Sequence, residues 1–209
     1  MKFWMMNRLM AALGVVVLVL VVTGCATAPA SRGHTPAALV VALQQQDCRG
    51  AYSALEAGGA AFEDASRAAQ LCLARGDFTR AGRLAEQAAS LRDHPDVDYA
   101  AYLARLARFG QWRAAQSADL ATRIDLGREV HADLLGFLRE YPLSRYGDDL
   151  APRIVRLRED IAGLELARAE ASRAAGATAD FIERARYVRD YFPGSEASRE
   201  AARLLEAAG

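Results

Sequence analysis

Three histidines, His34, His94 and His131, are the side chains of this 209-residue chain best suited to metal binding or proton transfer. They lie far apart in the sequence, and no pair has the spacing that puts two ligands on one helical face. The chain also has no Cys-x-x-Cys pair, no Gly-x-Ser-x-Gly elbow and no Walker loop. We therefore predict no metal, no cofactor and no catalytic residues, and a protein that is not an enzyme.

Two pairs of carboxylates could in principle act as an acid and a base. They are Asp96 with Asp98, and Asp148 with Asp149. Both pairs stand where helices are predicted to begin, and a carboxylate there is stabilised by the positive end of the helix dipole. This interaction explains the two pairs better than acid–base catalysis does.

Cys25 follows a segment with the features of a secretory signal. Lys2 and Arg8 give a positive start, and the apolar run from Leu9 to Val22 is too short to span a membrane comfortably. The ending Val22-Thr23-Gly24-Cys25 resembles a bacterial lipobox, at which a signal peptidase cuts before a diacylated cysteine. We predict that residues 1–24 are removed and that Cys25 carries a palmitate-type lipid anchor. An ordinary signal with a chance cysteine is the alternative.

The segment after Cys25 is small and polar and cannot bury enough apolar surface to fold. We expect residues 25–35 to be a lipidated flexible tether and residues 36–208 to form the folded domain. By resemblance to sorted lipoproteins, Ala26 rather than an aspartate after the cysteine favours the outer membrane.

The charge balance argues against a nucleic-acid partner. The whole chain has 26 basic and 26 acidic side chains, and removal of residues 1–24 takes away Lys2 and Arg8. The mature protein is thus slightly acidic and has no basic footprint. All of its remaining basic side chains are arginines, for which biased codon usage is a simpler explanation than function.

An apolar seam indicates a long helix over residues 147–175. Leu150, Ile154, Leu157, Ile161 and Leu164 recur at steps of four and three, which places them on one helical face. Charged side chains, including Glu165, occupy the other faces. Pro142 ends the preceding helix, and Ser144 is expected to cap this one; Pro193 and Ser195 repeat the pattern before helix 195–207.

Repeated turns predict an all-α, tetratricopeptide-like array, that is, an α-solenoid. Gly76-Asp77-Phe78 and Gly110-Gln111-Trp112 are 34 residues apart, and each is expected to be a glycine turn followed by an aromatic anchor. Gln46-Asp47-Cys48 is a weaker copy, and Gly176 opens a later one before helix 178–191. The repeat after Trp112 carries an insertion, expected to be extra helix around residues 118–130.

Cys48 and Cys72 form a candidate disulfide. If helices 47–57 and 61–75 turn near position 60, the two cysteines lie at the same level of the hairpin. An oxidising compartment then permits a bridge that closes a loop of roughly 25 residues. Two buried free thiols are the alternative.

Several of these motifs resemble the BamD-type outer-membrane assembly lipoproteins, a tetratricopeptide-repeat family. The similar stretches are 94–103 (His-Pro-Asp-Val-Asp-Tyr-Ala-Ala-Tyr-Leu), 141–146 (Tyr-Pro-Leu-Ser-Arg-Tyr), 156–166, Gly176 and 184–193, in that order along residues 70–208. The resemblance implies a scaffold on the periplasmic side of the outer membrane that helps insert β-barrel proteins. Its implied partners are the periplasmic domains of the barrel-insertion protein, other assembly lipoproteins and unfolded barrel precursors.

Two departures from the family bear on this expectation. The N-terminal repeat, residues 36–58, is short and poorly matched, and the family's extra C-terminal helices are missing. The chain is therefore expected to be a diverged and shortened member. Of the two roles that the resemblance implies, precursor recognition is less well supported than the scaffold role. A different hypothesis is an envelope adaptor that serves another secretion or cell-envelope complex.

Four arginines are candidate partner-binding residues. Arg153 and Arg156 are three residues apart on the long helix, and Arg186 and Arg189 are likewise on the next one, so each pair shares a helix face. Planar guanidiniums suit carboxylates on a partner. The competing interpretation is pairing within the chain with Glu159, Asp160 and Glu183.

Overall fold

The computed structural model describes residues 36–58 and 61–208, and this part of the chain is helical and contains no strand. The predicted signal peptide, Cys25 and the predicted tether lie outside the described residues. The helices are α1 (Ala37–Gln44), α2 (Cys48–Gly58), α3 (Phe62–Ala74), α4 (Phe78–Ala89), α5 (Val97–Ala114), α6 (Leu120–Glu140), α7 (Gly147–Ala174), α8 (Thr178–Tyr191) and α9 (Glu196–Ala208).

Each helix packs against the next one along the chain. Short turns join α1 to α2, α3 to α4 and α7 to α8, so these neighbours run antiparallel. Helices two apart also touch, as in α2 with α4, α3 with α5 and α7 with α9. A fold in which every helix contacts only its near neighbours is a tetratricopeptide-like helical repeat, which confirms the predicted fold class.

Three of the predicted turns contain a residue in the left-handed backbone conformation, with positive φ. Gly76 has φ +73° and Gly176 has φ +76°, a conformation that costs glycine little. Gln46 takes the same position before α2 with φ 54°. Asp77 then caps α4, because its side chain accepts from the Arg80 backbone N–H at 3.1 Å.

The predicted turn at Gly110 is wrong. α5 continues through this residue to Ala114. The ring of Phe78 packs so closely on the Gly110 backbone that a Cβ there would stand 2.3 Å from the ring. Gly110 is thus required for a close helix approach, and Trp112 is buried on α5, where its Nε1–H donates to the Arg123 carbonyl at 3.2 Å.

The region of the expected insertion after Trp112 lies in two long helices. α5 and α6 run for 18 and 21 residues, and α6 is one unbroken helix from Leu120, so helix is present where it was expected. Its cap is Asp119, whose carboxylate accepts from the Thr122 backbone N–H at 3.0 Å.

Of the two serines predicted to cap helices, Ser195 does so and Ser144 does not. Ser195 Oγ accepts from the Ser198 backbone N–H at 2.9 Å at the start of α9, as predicted. Ser144 does not cap α7, because the helix begins three residues later and has no side-chain cap bond. The Ser144 hydroxyl instead donates to Asp98 at 2.6 Å and so joins the α6–α7 loop to α5.

The predicted seam of α7 is buried at four of its five positions, with Leu164 partly buried. These residues belong to the larger core, which extends through α8 and α9 to Ala201. The N-terminal core is built mainly from small side chains of α2 to α5, such as Ala51, Ala69 and Ala107. Glu165 departs from the pattern, because it is buried instead of lying on a polar face.

Candidate functional site

A pocket of about 250 Å³ opens between α6, α7 and α8 and has an almost entirely charged lining. We call it the C-terminal pocket. Helical spacing explains how it forms, since its α7 residues are three apart and its α8 residues recur at steps of three and four. The lining residues are Arg128, Glu165, Arg168, Asp180, Glu183, Arg184 and Tyr187.

Glu165 and Arg128 form the base of this pocket. Glu165 is 3% exposed, and the Arg128 guanidinium donates to its Oε1. Arg128 also donates to the Tyr187 hydroxyl at 3.1 Å and lies over the Tyr187 ring. Burial raises the pKa of Tyr187, although the nearby Arg128 charge opposes this shift. A buried carboxylate needs such a partner, because removal of water from an isolated charge is costly.

Arg168 and Arg184 differ from Arg128, since within residues 36–58 and 61–208 neither has a carboxylate within ion-pair distance. Arg184 Nε is buried and has no hydrogen-bond partner there. Two guanidiniums with unused donors thus share one pocket with the paired Arg128. They can hold a carboxylate supplied from outside the chain.

A second surface is built from the starts of α3, α5 and α7. Tyr102 stacks on Tyr146 with ring centroids 4.7 Å apart, and Tyr99 lies 5.2 Å from Tyr146. We call the adjoining cavity, of about 410 Å³, the tyrosine groove. Its lining residues are Phe62, Glu63, Ser66, Arg67, Gln70, Asp96, Tyr99, Arg145 and Tyr146.

Asp149 links these tyrosines to Arg153. The Tyr102 hydroxyl donates to Asp149 at 2.7 Å, and Arg153 binds the same carboxylate through two bonds of 3.0 and 3.1 Å. The hydrogen bond from Arg153 is the main reason that the pKa of Asp149 lies below its usual value. Burial, and then the bond to Asp149, raise the pKa of Tyr102 to about 12.

The four arginines predicted to bind a partner do not converge on one patch. Arg153 borders a groove with residues of α3 to α5, whereas Arg156 borders a different one with residues of α9. Arg153, Arg156 and Arg189 pair with Asp149, Asp160 and Asp190 respectively. Arg186 is exposed and has no ion pair within the described chain.

The sequence is similar to one known family. Residues 37–208 match the model of the YfiO family, described as outer membrane lipoproteins, and a search among curated proteins found no match. The chain belongs to the YfiO family. This is the BamD family that the motifs resemble, a family of non-enzymatic lipoproteins that work with the outer-membrane assembly machinery.

No helix in the described part of the chain is long and apolar enough to cross a membrane. The same residues contain no group of three or more His, Cys, Asp or Glu side chains that could hold a metal ion. His94 stacks on Phe62, and burial is the main reason that the pKa of His131 is lowered.

Cys48, at the start of α2, and Cys72, near the end of α3, are neighbours in the structure. A disulfide joins them in the structure, their Cα atoms are 4.9 Å apart, and both side chains are buried. The pair fastens the start of α2 to the end of α3.

Proposed function

We propose that this chain is a non-enzymatic scaffold lipoprotein on the periplasmic face of the outer membrane, anchored by a lipid on Cys25. It takes part in the assembly and insertion of β-barrel proteins through protein–protein contacts. Support comes from its family, which is one of outer membrane lipoproteins in this process. The proposed partners are the periplasmic domains of the barrel-insertion protein and other assembly lipoproteins.

Within this proposal, the residues that contact the partner are the arginines of the C-terminal pocket. Among the residues that the structure describes, neither Arg184 nor Arg168 has a carboxylate within ion-pair distance, and Arg184 already has its Nε buried. An acidic side chain of a partner domain that enters the pocket would gain charge-assisted hydrogen bonds from both arginines. A pair desolvated in this way is strongly weakened by loss of either member.

The four predicted arginines form a second, more exposed set of proposed contacts. Three of them, Arg153, Arg156 and Arg189, would have to exchange a neighbouring aspartate for a partner carboxylate. Arg186 forms no ion pair in the described part of the chain. Exchange between exposed pairs changes the free energy little. We therefore expect Arg156→Glu with Arg189→Glu to weaken partner binding less than Arg184→Glu alone.

Affinity capture from chemically cross-linked envelopes tests the assembly role. We expect the wild-type protein to recover the barrel-insertion protein, and Arg139→Glu to do so equally well. Arg139 is a suitable control because it is exposed and lies outside the C-terminal pocket. Recovery of a different secretion or cell-envelope complex, without the barrel-insertion protein, would instead support an adaptor of another system.

The lipid anchor has a separate test. Cys25→Ser removes the thiol that would be acylated, so we expect release from membranes or accumulation of an uncleaved precursor. Membrane fractionation with a blot for precursor size measures both. Unchanged fractionation together with unchanged processing would contradict the anchor.

The tyrosine groove favours a second role, in binding unfolded barrel precursors. Barrel strands carry aromatic girdles, and such side chains can stack on Tyr99 and Tyr146, which line the groove. We expect Tyr146→Ala to weaken the binding of a peptide from a barrel strand, whereas Tyr191→Ala does not. Tyr191 is an exposed tyrosine outside the groove. Equal affinity for the two variants in a fluorescence titration would argue against this role.

A further inference from the structure

Three side chains of α8 continue the C-terminal pocket toward the end of that helix. Arg184, Tyr187 and Tyr191 follow one another at steps of three and four, so they lie on one face of α8. Arg184 and Tyr187 line the C-terminal pocket, and Tyr191 stands one helical turn beyond it. We call these three residues the α8 strip.

Tyr191 is the outer ring of a small aromatic cluster. It stacks on Tyr187 with ring centroids 5.1 Å apart and meets the Phe192 ring edge-on, with centroids 5.3 Å apart. Phe192 belongs to the larger core and is 4% exposed, whereas Tyr191 is 65% exposed. Because Phe192 already closes the core at this point, most of the Tyr191 ring is available to another molecule.

The Tyr191 ring is held in position by contacts within the chain. Arg158 of α7 donates to the Tyr191 carbonyl at 3.1 Å and lies over the Phe192 ring, 5.5 Å from its centroid. These contacts fix the end of α8 on α7, and the stack on Tyr187 fixes the ring. A side chain that is already ordered loses little entropy on binding. Tyrosine and arginine are also the residue types enriched among the side chains that dominate binding energy at interfaces.

Charge sets the direction in which a partner segment can cross α8. Asp180 and Glu183 precede Arg184 on the helix and also line the C-terminal pocket, so an acidic group is repelled on that side. Arg184 has its buried Nε without a hydrogen-bond partner among the described residues. A segment whose carboxylate binds Arg184 therefore continues over the tyrosines, away from the two acidic residues.

We infer that the α8 strip is a single docking site for a protein segment that presents an acidic side chain and, about 10 Å away, an apolar or aromatic one. The carboxylate binds Arg184, and the apolar side chain packs on the Tyr191 ring. The separation follows from the rise of an α-helix between positions 184 and 191. This inference rests on the proposed function, which supplies the partner carboxylate but gives Tyr191 no part in binding it.

Binding of the purified mature protein to purified periplasmic domains of the barrel-insertion protein tests the inference. We expect Tyr191→Ala to weaken the affinity about tenfold, because the apolar contact is lost, and Tyr191→Phe to stay within about twofold of wild type, because the ring remains. Leu91→Ala is the matched control and should bind like wild type. Leu91 is a large apolar side chain exposed in the α4–α5 loop, whereas α8 packs on α7 and α9. Circular dichroism checks that each variant is folded.

The outcomes separate the α8 strip from the proposed function. If Arg184→Glu weakens binding and Tyr191→Ala does not, the strip is wrong and the carboxylate pocket stands. If Tyr191→Phe or Leu91→Ala loses as much affinity as Tyr191→Ala, the Tyr191 ring is not the contact, and the inference is overturned. Wild-type affinity for Arg184→Glu contradicts the carboxylate pocket, and the strip with it. Wild-type protein that does not bind these domains contradicts the proposed partner and the strip together.

Discussion

The buried carboxylate of Glu165 and the guanidinium of Arg128 join α7 to α6 although 37 residues separate them in the sequence. Arg128 closes the pocket floor and remains 45% exposed on its side chain. The pair therefore stabilises the fold, whereas Arg168 and Arg184 form no ion pair within residues 36–58 and 61–208. Stability and partner binding thus depend on different arginines of one pocket.

Removal of the Arg128 charge should destabilise the protein. Arg128→Met leaves the Glu165 carboxylate buried without its partner, and we expect a loss of about 2–3 kcal/mol in the free energy of unfolding. This is less than for a fully buried pair, because Arg128 is partly exposed to solvent. Urea unfolding followed by circular dichroism measures it. Arg139→Met, the matched surface change, should stay within about 0.5 kcal/mol of wild type, and equal stability of the two variants would contradict this account.

Two helix-interior glycines should respond in opposite directions to alanine. Gly110→Ala places a Cβ against the Phe78 ring, and we expect a loss of about 1–3 kcal/mol from overpacking. A Cβ at Gly136 meets nothing within 4 Å, so Gly136→Ala should gain about 0.5–1 kcal/mol from helix propensity. Chemical denaturation of both variants tests the pair. A stabilising Gly110→Ala would mean that α4 and α5 are not in such close contact.

If Cys48 and Cys72 are bridged, mature protein that lacks Cys25 should contain no free thiol. We expect this result when the protein is purified under oxidising conditions and then denatured. Reduction should then lower the free energy of unfolding by about 3 kcal/mol, because the bridge closes a loop of roughly 25 residues. The double variant Cys48→Ala, Cys72→Ala is the control and should not respond to reductant. Two titratable thiols in the oxidised protein would rule the bridge out.

Asp149 should make stability depend on pH in the acid range. Its pKa is lowered in the folded protein, so its contribution is complete above the unfolded value of about 4 and is lost as the pH falls through the folded value. Because Asp149 is partly exposed, we expect Asp149→Asn to cost only about 0.5–1 kcal/mol at pH 7, and less at pH 3. Asp148→Asn is the matched control in the same helical turn. A cost for Asp149→Asn that does not shrink in acid would contradict the assignment.

Local patterns in the sequence predicted much of the fold. The spacing of Leu150, Ile154 and Leu157 marks the buried face of α7, and Gly76 marks a turn, because both depend on neighbours along the chain. The pattern at Gly110 predicts a turn wrongly, because in the sequence a glycine required for close packing against Phe78 cannot be distinguished from a turn glycine.

The C-terminal pocket could not be predicted in the same way. Glu165 follows Leu164 on a helix with many charged residues, and its burial depends on Arg128 of another helix. The sequence shows that Arg184 belongs to an arginine-rich helix, but not that its Nε is buried without a partner. The only available signal was the three- and four-residue spacing of charges on α7 and α8.

The central claim, that the C-terminal pocket receives a partner carboxylate, is tested most directly by binding of purified protein to purified periplasmic domains of the barrel-insertion protein. We expect Arg184→Glu to weaken the affinity about 30-fold or more, with helical circular dichroism unchanged, and Arg139→Glu to bind like wild type. Wild-type affinity for Arg184→Glu, in a protein that remains folded, would contradict the claim.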